Sequence, residues 1–190
     1  MKKLDAYAIY LGMEGALALL FLMIFTASSV YQVTAAGLSA LQLVLVGTVL
    51  EISVFIFEVP TGVVADVYSR RLSIIIGMFL MGLGFVLEGS FPLFWTILLA
   101  QVLWGIGYTF TSGATQAWIS DEIGESCAGR AFMRASQVGQ IASLLGIGMG
   151  MLLGSVRVNL PIQLGGFCLV LLATISWGFS ETFWPMISET

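Results

Sequence analysis

Apolar residues occupy this chain in long blocks separated by short polar or charged interruptions. A helix that crosses a bilayer needs about 20 mainly apolar residues. The interruptions leave six stretches near that length, at residues 7–33, 41–64, 72–90, 93–118, 132–155 and 160–180. Breaks fall from Thr34 to Ala40, from Asp66 to Arg71, around Ser90, Phe91 and Pro92, from Ser120 to Arg130, and from Arg157 to Pro161. The pattern predicts an all-α membrane protein, a bundle of six transmembrane helices forming one domain over residues 1–190.

Composition agrees, since 58% of the 190 residues are hydrophobic and only 9% are charged, with a mean hydropathy of +1.01. A soluble domain of this size does not stay dispersed with so few surface charges, so the lipid bilayer is the expected surroundings. Lys2 and Lys3 ahead of an apolar run mimic a secretory leader, with Ala27, Ser28 and Ser29 as its cleavage site. The helical pattern nevertheless continues from Tyr7 to Val33, well beyond a leader's apolar region of roughly 7 to 15 residues. It therefore reads as the first span.

Cytoplasmic loops accumulate Lys and Arg. Lys2, Lys3, Arg70, Arg71, Arg130 and Arg134 fall on one side of the predicted spans and Arg157 alone on the other. This predicts a multi-pass protein of the cell membrane with both termini cytoplasmic. Eleven acidic and seven basic side chains, spread along the chain, form no basic stripe, which argues against a nucleic-acid partner. Histidine is absent, and Cys127 and Cys168 lie 41 residues apart. Neither a metal site nor a disulfide framework follows, and no cofactor is predicted. A lipid-directed enzyme needs a nucleophile or metal cluster at the membrane surface, and Asp121-Glu122 is the only candidate, so no enzymatic role is predicted.

Polar groups inside the spans carry the candidate chemistry. Charge at membrane depth costs at least about 2.5 to 3.5 kcal/mol, so such groups usually face an interior pathway. Glu14 in span 1 and Glu51 and Glu58 in span 2 are the candidate proton- or cation-coupling groups. Glu51 is nearest mid-span and Glu58 is seven residues on, on the same face. Glu14 stands about 10 Å into span 1, where a cationic substrate or a neighbouring helix's hydroxyl would meet it. In span 4, Gln101, Trp104, Tyr108, Thr111, Thr115 and Trp118 recur at spacings of 3, 4, 3, 4 and 3, which predicts one polar and aromatic stripe facing a cavity. Ser136, Gln140 and Ser143 share a face of span 5, with Gln137 adjacent, for interhelical hydrogen bonds or the same cavity. Gly146, Gly150 and Gly154, at four-residue spacing, predict close helix packing.

Between spans 2 and 3, Glu58, Pro60, Thr61, Gly62, Ala65 and Asp66 are followed by Ser69, Arg70 and Arg71. A helix ends at the membrane face, a carboxylate follows, and two guanidiniums come one turn later, where ion pairs can lock one state of a bundle. Here the sequence resembles the major facilitator superfamily, whose signature in this loop is Gly-x-x-x-Asp followed, after a small residue, by Arg-Arg or Arg-Lys. Gly62, Asp66, Ser69, Arg70 and Arg71 match it. The resemblance implies a gating cluster of Gly62, Asp66, Arg70 and Arg71 with Asp121, which stands at the cytoplasmic end of span 4. Span 4 is also similar to the family's Arg-x-x-Gln-Gly-x-Gly, keeping Gly105 and Gly107 but carrying Gln101 for the arginine. That departure puts the usual proton-transfer wiring of the family's antiporters in doubt. The glycines of the antiporter pattern in span 5 are present without its proline.

The resemblance implies the amino-terminal half of such a transporter, built of 3+3 inverted repeats, with residues 181–190 beginning a central cytoplasmic loop. It also implies a partner, a second six-helix half, as a carboxy-terminal half or another protomer. The chain is accordingly expected to be a fragment, a split gene product or a protomer that must pair. The expected activity is alternating-access transport of a small molecule, with efflux of a lipophilic or cationic compound leading. Gln101, Trp104, Tyr108, Thr111, Thr115 and Gln140 are its candidate pathway residues. Sugar or metabolite transport and a non-transporting membrane scaffold are the alternatives.

Overall fold

The computed structural model describes residues 3–183, with side chains from 6 to 177. Lys2 and residues 184–190 of the predicted loop lie outside the described residues. The elements are α1 (Lys3–Thr34), α2 (Ala40–Val67), α3 (Arg70–Ser90), α4 (Phe94–Thr111), α5 (Ala114–Ile123), α6 (Glu125–Val156) and α7 (Leu160–Phe183), with no strand among the described residues. Six segments are long and apolar enough to cross a membrane, α4 and α5 together making the fourth, Phe94–Ile123.

The helix starts follow local chemistry. Ser39 opens α2 with a capping box, its side chain accepting from the Gln42 amide while the Gln42 side chain accepts from the Ser39 amide. Ser69 caps α3 by accepting from the Leu72 amide, so only Tyr68 and Ser69 separate α2 from α3.

Two boundaries depart from the sequence pattern. The predicted fourth span, 93–118, is interrupted at Ser112 and Gly113, where Gly113 takes φ +74°. A left-handed residue breaks the helical ladder, and glycine adopts it without a Cβ penalty. Gly113→Val is expected to destabilise the fold by about 1–2 kcal/mol, read as a lower thermal midpoint. A Cβ at Gly113 meets nothing within 4 Å, so an unchanged midpoint would show that the bend is not needed. The predicted loop 120–130 is mostly helical as well, with α6 starting at Glu125 after Gly124 at φ +87°. Polar Ser, Arg and Glu end an apolar run without ending a helix, so hydropathy placed this boundary late.

The spans pack as an open row: α2 on α4, α4 on α3, α3 on α7, α7 on α1 and α1 on α6. Met23, Ile24, Met78, Met81, Ile97 and Leu169 form the fully buried centre. Small residues bring backbones together there. A Cβ on Gly107 of α4 would lie 2.7 Å from the Gly77 carbonyl of α3, and one on Gly82 of α3 would lie 2.8 Å from the Gly166 carbonyl of α7. Helices α2 and α6 stand at the two ends of the row and are mostly exposed.

Candidate functional site

Three helix ends converge on one cluster. The last turn of α2 presents Asp66 and the first turn of α3 presents Arg70, held one turn apart by the Ser69 cap. Arg70 Nε lies 3.8 Å from Asp66 Oδ1. The end of α5 brings Asp121, whose Oδ2 accepts from Arg70 Nη1 in an ion pair. Arg70 thus bridges α2 and α5 from the start of α3. The Arg70 side chain is 34% exposed, Asp66 73% and Asp121 65%. Exposed pairs of this kind contribute about 0–1 kcal/mol to stability, so the cluster joins helix ends without holding the fold. Arg71 is half-buried and forms no ion pair among the described residues. Gly62 sits half-buried on α2, and a Cβ there would meet nothing within 4 Å.

Glu51 and Glu58 both lie on the exposed side of α2, Glu51 about 16 Å from the start of that helix. Gln140 is likewise exposed on α6, and Glu14 is half-buried on α1. The span-4 stripe divides. Gln101 is buried and Trp104 half-buried against the core, whereas Tyr108 is exposed. Thr111 and Thr115 donate to carbonyls of their own turns, Tyr108 and Thr111. The bend at Ser112 and Gly113 rotates Thr115 and Trp118 off the line that straight-helix spacing predicts.

The structure also assembles a constellation absent from the sequence-based site. Glu88, near the far end of α3 from Arg70, is 1% exposed. Gln32 of α1 donates from Nε2 to its Oε1 at 2.9 Å, and Gln101 of α4 donates from Nε2 to its Oε2 at 3.3 Å. The Tyr31 hydroxyl donates to the Glu88 backbone carbonyl at 2.8 Å. Glu88 lies inside the apolar run 72–90, so the rule that singled out Glu14, Glu51 and Glu58 reaches it too. It stands beside Gly89 and Ser90, at the edge of the run, and was not among the candidates read from the sequence.

No family model matches the chain. The uncharacterized MFS-type transporter YxaM of Bacillus subtilis is 30% identical over 150 residues, which is 79% of this chain and 37% of that protein. An uncharacterized transporter of Buchnera aphidicola is 31% identical over 74 residues, 39% of this chain and 18% of that protein. The chain belongs to the major facilitator superfamily. Its six spans fit one half of a superfamily transporter, and the chain spans little more than a third of the length of YxaM. For a superfamily member, the union of Asp66, Arg70 and Asp121 is long-range: Arg70 and Asp121 stand 51 residues apart in sequence, and only the packing of α5 beside α3 lets them meet.

Proposed function

We propose that the chain is one six-helix half of a secondary transporter that moves a small molecule by alternating access, working against a second half in the same polypeptide or another protomer. The observation that carries this is the polar groups on the exposed surface of the spans: Glu51 and Glu58 on α2, Gln140 on α6 and Tyr108 on α4. Lipid does not tolerate carboxylates there, so this face needs protein or water against it. Helices α2 and α6, at the ends of the row, are where a second half would close the pathway. The packing also supports 3+3 repeats. Exchanging the first three spans for the last three carries the α1–α6 contact onto α4–α2, the α3–α4 contact onto α7–α1, and α3–α7 onto itself.

In this reading Asp66, Arg70, Asp121 and their neighbours Gly62 and Arg71 form a gate at the cytoplasmic end, with both termini on that side of the cell membrane. Glu51, Glu58 and Glu14 couple ion movement to substrate, and Tyr108, Thr111 and Gln140 border the pathway. Acidic groups among aromatic ones suit efflux of a lipophilic cation. The test is efflux of a panel of lipophilic cations, and of sugars as a second panel, from vesicles holding the full-length protein. Glu51→Gln is expected to lower cation efflux about tenfold with unchanged membrane insertion. Transport of sugars alone would overturn the substrate class. Glu51→Gln transporting like the parent would remove Glu51 from the pathway, and no transport of either panel would favour a scaffold.

A further inference from the structure

We propose that Glu88 is a proton-binding carboxyl loaded from the membrane face opposite the Asp66–Arg70–Asp121 cluster, with Gln32 and Gln101 as its neutral positioning residues. It rests on the transport reading for its use, though not for the binding itself. A carboxylate removed from water costs several kcal/mol unless a counter-charge or a proton neutralises it, and no basic side chain forms an ion pair with Glu88 among the described residues.

The elements packed around it supply neutral groups. Helix α1 contributes Tyr31 and Gln32 and helix α4 contributes Gln101. Ile162 and Gln163 of α7 crowd the adjacent Gly89, and Asn159, just before α7, donates to the Gly89 carbonyl at 3.1 Å. The titratable and charged groups nearby are the Tyr31 phenol, engaged with the Glu88 backbone, and Arg157, which lines the recess described next.

Amide partners suit a group that must exist with and without its proton. Each glutamine carries an NH2 that donates to a carboxylate and a carbonyl that accepts from a carboxylic acid, so a rotation of the amide serves either state. An arginine in the same place would hold the charged form alone. One carboxylate and two amides also fall short of the roughly six or more oxygen ligands that hard cations such as calcium take. The carboxyl therefore suits a proton better than a metal ion.

Open space lies beside Glu88 on one side. An open recess of about 380 Å³ is lined by Tyr31, Gly89, Ser90, Pro92, Arg157 and Asn159, so the residues next to Glu88 on α3 and the Tyr31 that touches it all face this space. One turn toward the other membrane face along α3 and α4, Phe85 and Trp104 meet Phe25 of α1 with ring centroids 5.4 to 6.0 Å apart, and the three rings form a floor. Ser28 and Trp104 stand at that level, one turn from Gln32 and Gln101, and Ser28 Oγ and Trp104 Nε1 are buried without hydrogen-bond partners. The Ser28 hydroxyl, which both donates and accepts, is placed to take up the next link of a proton path once the rings shift, and the Trp104 N–H, a donor only, can hold a water there.

The experiment is difference infrared spectroscopy of the full-length protein in lipid vesicles, stepping pH in the absence of any transported substrate. A carbonyl-stretch band from a dry carboxylic acid is expected to titrate, to vanish in Glu88→Gln, to shift in Glu88→Asp and to remain in Glu51→Gln. Absence of a titrating band, or its persistence in Glu88→Gln, would overturn the proposal. A shift produced by sodium at constant pH would overturn it in favour of a metal cation. Because no substrate is used, a titrating Glu88 in a protein that transports nothing would refute the transport reading alone.

Discussion

Replacing Arg70 by Ala is expected to lower transport about tenfold or more while leaving the thermal midpoint within about 4 °C of the parent. Its ion pairs are mostly exposed, and such pairs contribute about 0–1 kcal/mol to folding. They join three helix ends, however, and a few such contacts made in one state and broken in the other set a conformational equilibrium by roughly 1–3 kcal/mol, a factor of about 5 to 150. The geometry ranks the partners. Arg70 makes both contacts, Asp121 is in close contact with the guanidinium, and Asp66 is 3.8 Å away. Losses should therefore fall in the order Arg70→Ala, Asp121→Asn, Asp66→Asn, measured as initial rates in vesicles beside fluorescence-detected unfolding in detergent. Equal loss of transport and of stability in all three would make the cluster a structural brace rather than a gate.

The largest effect on the fold itself is expected from Gly146→Val. A Cβ there would press on the Leu19 backbone carbonyl of α1, an atom that no rotamer change can move. Overpacking of this sort costs about 1–3 kcal/mol or more, and for a chain of this length each kcal/mol lowers the midpoint by about 2–4 °C. A drop of about 5–10 °C is therefore expected, with Gly150→Val similar because its Cβ would lie 2.7 Å from the Met23 carbonyl. Gly148→Val on the same helix, where a Cβ meets nothing within 4 Å, serves as control and should unfold near the parent temperature. A destabilised Gly148→Val beside a stable Gly146→Val would mean that α6 packs on α1 through another face.

The glycines show how far spacing carries. Gly146, Gly150 and Gly154 recur every four residues, yet they are not equivalent. The first two are pressed against α1, and the third has its nearest neighbour, Pro161, at 3.8 Å from a Cβ. Four-residue spacing places the three on one face, whereas how far a second helix runs along that face depends on its own path. The span-4 stripe is interrupted at Thr115 and Trp118 for a related reason. Its six positions share a face only on a straight helix, and Gly113 at φ +74° ends that straightness.

What the sequence by itself determined is what depends on local physics: six spans, because bilayer thickness sets a length of apolar chain. The loop signature of Gly62, Asp66, Arg70 and Arg71 was legible through its resemblance to the superfamily's. Tertiary structure decided which polar groups meet. Gln32 and Glu88 are 56 residues apart and Gln101 follows Glu88 by 13, and their meeting depends on which helices neighbour one another in the row. Hydropathy carries no record of that order, since in lipid every apolar face is alike and helices choose neighbours by close packing of small residues and by buried hydrogen bonds. So Glu51 and Glu58, conspicuous in sequence, lie on an open face, while Glu88, inconspicuous at the edge of its span, became the most enclosed acid among the described residues.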